Sequence, residues 1–265
     1  MTKNRLLLLL LLVTALLPAA ARGESRHKVY NLCTISYPSD AAIPWDCRKI
    51  GKGESAETLY GDNWQDLLRF NRIDRRHLVP GVSIKLPRNP ADIAGFSPLP
   101  ASYPEAEKEE KFILVDLSEQ FLAAYEHGER VLSAPIASGN RINRTPVGDF
   151  RVDAFSRRHE SSLYQIEKTS RPYPMHYGLR FFINEGGVAF WLHGRDLPGY
   201  PASHGCVGLY DEEMQRKYYS FSRPAPRLQD SRALYEWAIG NRKDSSSFTL
   251  LKNGPRVRVM GKSPI

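Results

Sequence analysis

A mostly β fold in two unequal parts is what this 265-residue sequence predicts, and three observations predict it. From Phe112 onward, apolar runs of strand length recur between Gly-rich and polar turns, with few helical stretches among them. Ahead of them, residues 46–88 spell a strand, two short helices and a strand. Between the two parts lies a stretch punctuated by Pro and Gly with little periodicity, which reads as a linker over 89–109.

The chain opens on a pattern that does not belong to the fold. Lys3 and Arg5 precede the apolar run Leu6–Leu17, and Ala19-Ala20-Ala21 follows it. Basic start, short apolar core and small-residue end make 1–21 a secretory signal peptide, since about 20 apolar residues are needed to span a bilayer. No Cys ends this leader, which argues against a lipid anchor. The expectation is an exported protein of the periplasm or cell wall, and an uncleaved N-terminal anchor is the alternative.

In the small unit, Cys47–Ile50 reads as a strand, and Gly53-Glu54-Ser55 as a turn with a helix N-cap. A first helix ends at Tyr60-Gly61. Asn63 is placed to cap a second, where Trp64, Leu67, Leu68 and Asn71 fall at helical spacing. Pro80-Gly81 then turns the chain into the strand ending at Pro87. Cys33 and Cys47 can pair in an oxidising compartment, leaving Cys206 over; two free thiols are the other possibility.

The larger part starts with strands at Phe112–Leu117, Phe121–Tyr125 and Val131–Ser138, separated by Ser118-Glu119-Gln120 and His127-Gly128. Val188–Leu192 is a strand that leads straight into His193. Tyr210–Tyr219 has helical spacing with Asp211, Glu212 and Glu213 in its first turn, where negative charge suits the helix dipole. Asp230 is placed to cap a helix through Leu234 and Trp237, and Arg256–Val259 closes with an alternating strand. A core of this size needs no second domain.

His193-Gly194 and, 13 residues after the histidine, Cys206 within Ser203-His204-Gly205-Cys206 carry the chemistry. A thiol of ordinary pKa about 8.5 becomes a nucleophile when an imidazole or cation favours the thiolate. Gly205 lets the backbone approach a substrate carbonyl. A lone Cys is more often a buried apolar residue and a lone His more often structural. A Cys set between Ser-His-Gly and Gly208 is a poor core residue. Zinc held by His193, His204 and Cys206 is the other alternative, disfavoured by the lack of a fourth ligand at a suitable spacing.

With Phe112 to Phe150 upstream, this segment resembles the YkuD-type L,D-transpeptidases of the bacterial cell wall, whose signature is His-Gly followed at a distance by Ser-His-Gly-Cys. Thr145-Pro146-Val147-Gly148-Asp149-Phe150 and Pro174–Phe182 match two further stretches of that family, and the resemblance runs from about Glu110 to Gly261. It implies an antiparallel, sandwich-like β fold over 110–261 and acyl transfer through a thioester on peptidoglycan tetrapeptide stems, with no cofactor and no metal. Carried over residue by residue, Cys206 is the nucleophile and His193 the proton donor and acceptor. The Gly194 carbonyl orients the His193 ring, and His204 and Gly205 shape the oxyanion site together with the Cys206 amide. Ser203 fixes the loop and, with Arg195, Arg180 and Tyr177, is placed at the substrate. One departure stands out: the family usually has Arg or Asn where this chain has Gly208, and Arg195, Arg180 or Arg144 would have to substitute.

The βααβ order of 46–88 looks like a LysM module, which binds the glycan strands of the wall, although Arg72–His77 is more basic than usual there. A small packing module without ligand is the alternative. The net charge of +8 comes with no RNP-like, helix-turn-helix or zinc-finger pattern, so an anionic wall polymer is a better partner than nucleic acid. Three readings of function stay open: the transpeptidase, a carboxypeptidase or endopeptidase of the same superfamily, and a wall-binding protein without activity.

Overall fold

The computed structural model describes residues 29–242 and 246–265. The expected leader, 1–21, lies outside the described residues. Among those described, no helix is long and apolar enough to cross a membrane.

The N-terminal unit has the expected order. Strand β1 (Trp45–Lys49) precedes α1 (Ala56–Tyr60), α2 (Trp64–Phe70) and β2 (Ser83–Pro87). Ser55 and Thr58 start α1 reciprocally, each side-chain oxygen accepting the other's amide. Asn63 precedes α2 without making the side-chain cap expected of it. β1 and β2 pair antiparallel, with Cys47 opposite Lys85.

Its boundaries differ from 46–88 at the N-terminal end. Leu32, Ile35 and Tyr37 belong to the unit's core, and a disulfide joins Cys33 to Cys47. Nor does that core close on itself: Ala137, Leu197, Tyr210 and Leu228 of the larger part complete it. The reason is size, because a unit of about 40 residues buries too little of its own surface to be stable alone. The basic run Arg72–His77 is the wedge at this junction. Arg72 is wholly buried, stacked 3.9 Å from the Tyr37 ring centre, and Arg75 forks onto Glu212.

Residues 89–109 connect the two parts as a packed strap and not as free linker. Ile93 and Ala106 are fully buried, and Leu99 packs with Phe96 and Tyr103 against Phe112, Phe121 and Tyr125. Irregular backbone leaves no periodicity, so this burial does not register in the sequence. It does explain Phe112–Val115, an unbroken apolar run: its strand is covered on both faces.

Among the described residues, the larger part holds two five-stranded sheets. The first contains β3 (Phe112–Asp116), β4 (Phe121–Glu126), β5 (Glu129–Pro135), β6 (Gly148–Arg151) and, from the far end of the chain, β12 (Arg256–Met260), in the order β5-β4-β3-β12-β6. The second contains β7 (Ala154–Gln165), β8 (Pro172–Ile183), β9 (Ala189–Arg195), β10 (Val207–Tyr210) and β11 (Thr249–Leu250), in the order β10-β9-β8-β7-β11. Ile113, Val115 and Leu122 of one sheet meet Leu179, Leu192, Val207 and Leu209 of the other in a single core. Helix α3 (Glu212–Tyr219) starts at an Asp211 cap, and α4 (Asp230–Ile239) adds Leu234 and Ala238 to the core. Asp230 opens α4 without capping it, because its carboxylate is held by Arg69 at 2.8 Å.

Among the described residues most pairings are antiparallel, as expected, but two are parallel: β12 with β3 and β10 with β9. The second of these builds the site.

Candidate active site

Parallel neighbours require a crossover of about a dozen residues or more between them. Between β9 and β10 that crossover is 196–206, so the spacing from His193 to Cys206 is the length of a strand-to-strand return. Val207 lies opposite Leu192 and Gly208 opposite His193. One step earlier, Cys206 falls beside Trp191, whose backbone amide favours the thiolate. Since side chains alternate along a strand, Trp191, His193, Arg195 and Cys206 share one face. Leu192, Val207 and Leu209 point the other way, into the core.

His193 is 3% exposed, and its Nδ1 lies 2.8 Å from the Gly194 carbonyl. A carbonyl only accepts, so Nδ1 carries the hydrogen and Nε2 keeps its lone pair. Burial pushes the imidazole down to about 3, against the pull of that carbonyl and reinforced by the Arg195 charge. Cys206 is partly exposed as a residue, yet burial around its sulfur pushes the thiol up to about 11; the Trp191 amide and Arg195 work in the opposite direction. Both groups therefore rest uncharged at neutral pH. The pair is a neutral base and a neutral thiol, with no standing ion pair.

Two glycines are required by close approach. A Cβ on Gly194 would collide with the Asp211 carboxylate, which caps α3 through the Met214 amide at 2.9 Å. Gly205 has φ +112, and a Cβ there would sit 2.6 Å from the Phe190 ring. Thr145 braces the same turn, donating to the Gly205 carbonyl and accepting the Gly139 amide, both at 2.8 Å.

Several expected roles change. Ser203 is 1% exposed and closed into its own turn, its hydroxyl donating to the Cys206 carbonyl at 2.5 Å and accepting the Gly205 amide at 3.0 Å. It shapes the loop and has no face toward a substrate. The same bond commits the Gly205 N–H, so Gly205 is not the free oxyanion donor it was expected to be. His204 lies face to face with Tyr164 of β7, ring centres 3.9 Å apart. Tyr177 is in the core against Tyr235, and Arg180 is clasped by Asp153 through bonds of 2.8 and 3.0 Å. Neither is placed to meet a substrate. Arg144 is turned to the Ile265 carbonyl.

Arg195 is different. Its aliphatic stem lies across Gly208, so close that a Cβ at 208 would strike it. The strand partner thus fills the space that a side chain at 208 would occupy. One guanidinium nitrogen donates to the Ala202 carbonyl at 2.8 Å, while its buried Nε has no hydrogen-bond partner among the described residues.

Trp191, Tyr164, Thr145 and Asp211 have no place among the residues expected at the site from sequence. Only Thr145 lies in a recognisable motif; the others come together through sheet pairing. Among the described residues no group of three or more His, Cys, Asp or Glu is arranged to hold a metal ion.

The sequence profile of the YkuD L,D-transpeptidase catalytic domain matches residues 110–241. No curated protein matches the chain. Among solved structures, an L,D-transpeptidase from Xylanimonas cellulosilytica is similar at 24% identity and TM-score 0.41, over 74% of this chain and 79% of that one. Another from Stackebrandtia nassauensis is similar at 22% identity and TM-score 0.39, over 59% of this chain and 58% of that one. A third, from Mycobacterium tuberculosis, shares 16% identity at TM-score 0.36, over 57% of each chain. This chain therefore spans a little over half the length of two of these three.

Proposed function

Because residues 110–241 make this chain a member of the YkuD L,D-transpeptidase catalytic-domain family, we propose that it is a cysteine-dependent L,D-transpeptidase acting on peptidoglycan tetrapeptide stems. The observation that carries this reading is the parallel β9–β10 pair, with His193 locked by the Gly194 carbonyl on the strand beside Cys206.

Cys206 attacks the carbonyl of the third stem residue as His193 Nε2 takes the thiol proton. Proton and carbon–sulfur bond move together, because neither charged partner is favoured in advance. The tetrahedral oxyanion takes the Cys206 N–H; one such donor is worth about 3–4 kcal/mol in a dry site. Collapse expels D-alanine, its amine protonated by His193, and leaves a thioester. An amine of a neighbouring stem then attacks, giving its proton to His193, and the thiol is restored. Arg195 supplies positive charge beside the reacting groups and an Nε–H for a substrate carboxylate or carbonyl.

The leader and the Cys33–Cys47 disulfide support an exported enzyme. The antiparallel βααβ unit supports contact with glycan, read by analogy with LysM modules. Incubation with purified tetrapeptide muropeptides, followed by mass spectrometry, tests the reading: cross-linked dimers support transfer, and tripeptides alone would replace it with hydrolysis. Unchanged substrate with both wild type and Cys206→Ala would reject it.

A further inference from the structure

The crossover 196–206 is irregular, so its backbone polar groups must find partners outside the loop. The N-terminal unit supplies them for its first half. Asp74 is wholly buried, and its Oδ2 accepts the Leu197 N–H and the Gln215 side-chain N–H, each at 2.7 Å. Its Oδ1 accepts the His77 backbone N–H and ring Nδ1–H, each at 2.8 Å. In return, the Asp74 N–H donates to the Leu197 carbonyl at 2.8 Å, and Ile73 bridges Pro198 in antiparallel fashion. Burial alone would raise this carboxyl; His77, Arg76 and the Leu197 amide together hold it below the usual range.

Neighbouring contacts continue the grip. The Tyr37 hydroxyl donates to the Gly199 carbonyl at 3.0 Å, and Leu32 occupies the space a Cβ on Gly199 would need. Arg76 pairs with Asp196 at 2.8 Å. The loop is thus held by a buried ladder from a part of the chain outside the matched catalytic domain. Its second half, Ser203–Cys206, is anchored separately through the Ser203 amide on Ser138, at 2.9 Å.

We propose that Asp74 is a positioning residue for the reaction, through which the N-terminal unit clamps the crossover and sets Cys206 against His193. This rests on the reading of those two residues as nucleophile and base. It gives the N-terminal unit a task within catalysis, separate from any contact with the wall.

The test uses the full chain with Asp74→Asn, which replaces an acceptor by a donor, and Tyr37→Phe, which removes a single bond. Arg69→Ala is the control: Arg69 sits in the same interface but binds Asp230 and the Ser133 carbonyl, away from the loop. Two quantities are read beside Tm: kcat and KM on tetrapeptide muropeptides, and the pH profile of Cys206 alkylation by iodoacetamide. A misplacement of about 1 Å costs about 10²-fold in rate. Asp74→Asn is therefore expected to lose about that much in kcat at little change in KM, Tyr37→Phe less, and Arg69→Ala only Tm. The alkylation profile of both loop variants should move to lower pH, because a released loop admits water to the buried thiol. Profiles that overlay wild type and Arg69→Ala at equal folded fraction would overturn the proposal. Alkylation does not depend on the substrate, so displaced profiles beside a wild type inert on muropeptides support the clamp and reject only the assigned reaction.

Discussion

Among the described residues two strand pairs run parallel, and they are built differently. β12 comes to β3 from the far end of the chain, with the rest of the domain between them in sequence, and lies inside its sheet between β3 and β6. β10 reaches β9 through 196–206 alone and forms the edge of its sheet. The first pair needs nothing further, since both its strands join in the ladder on either side. The second leaves a short irregular crossover at a sheet edge, with no helix to satisfy its own backbone. Partners come from Asp74, Tyr37 and Ser138, and the loop so held presents a thiol beside a buried imidazole. An interior parallel pair contributes stability; an edge pair with a short crossover offers a site.

The comparison breaks hardest at Cys206. Cys206→Ala should abolish turnover and leave Tm near wild type, because the covalent intermediate is lost while a small residue remains at the strand edge. Turnover close to wild type would remove the thiol from the mechanism. A carbapenem offers the same test without substrate: its strained carbonyl should add once to the wild-type protein by intact mass, and not to Cys206→Ala.

His193→Ala should slow acylation about 10²–10⁴-fold, the usual contribution of a placed general base. The pH profile sharpens this. With the imidazole pushed down to about 3 and the thiol up to about 11, the wild-type rate should be flat across neutral pH. A titration near the ordinary imidazole value of about 6.5 would mean that the base is a solvated histidine and not buried His193. The same downward shift makes His193 a stability term. Below about 6.5 the unfolded chain binds a proton that the folded one refuses, so stability falls as pH drops from there toward about 3.

The other parallel pair should respond in the opposite sense. Ile113, fully buried and opposite Val257, should cost about 2–5 kcal/mol of stability on change to Ala. The folded fraction should keep its kcat. A fall in kcat at full folding would show that the first sheet also shapes the site.

Arg195→Met carries the smallest effect. It keeps the bulk across Gly208 and removes the charge that favours the thiolate, so the thiol should titrate higher and alkylation at pH 8 should slow several-fold. No change would assign Arg195 to packing alone.

Legibility divides along physical lines. Ser203-His204-Gly205-Cys206 is contiguous, so its chemistry stands in the sequence as soon as the residues are read in order. The hairpin strand β7 does not, because its outer half, Arg157–Gln165, is mostly exposed and shows no apolar alternation. Tyr177 and Arg180 fall in a family stretch that sequence places at the substrate. Sheet pairing turns one into the core and closes the other on Asp153.

What the sequence by itself determined is therefore local: the βααβ order, the strands from Phe112, the cap at Ser55, the acidic first turn from Asp211, and a thiol and an imidazole set 13 residues apart. Each depends on hydrogen bonds and side-chain alternation within a few residues, which periodicity and capping residues record. What only the tertiary structure decided is the parallel register of β9 with β10, the stem of Arg195 lying over Gly208, the loss of the Gly205 amide to Ser203, and the grip of Asp74 on Leu197. The last of these joins residues more than a hundred positions apart in sequence. Such contacts form because buried polar groups must be paired once the core has closed, and no local pattern states which distant partner will be there.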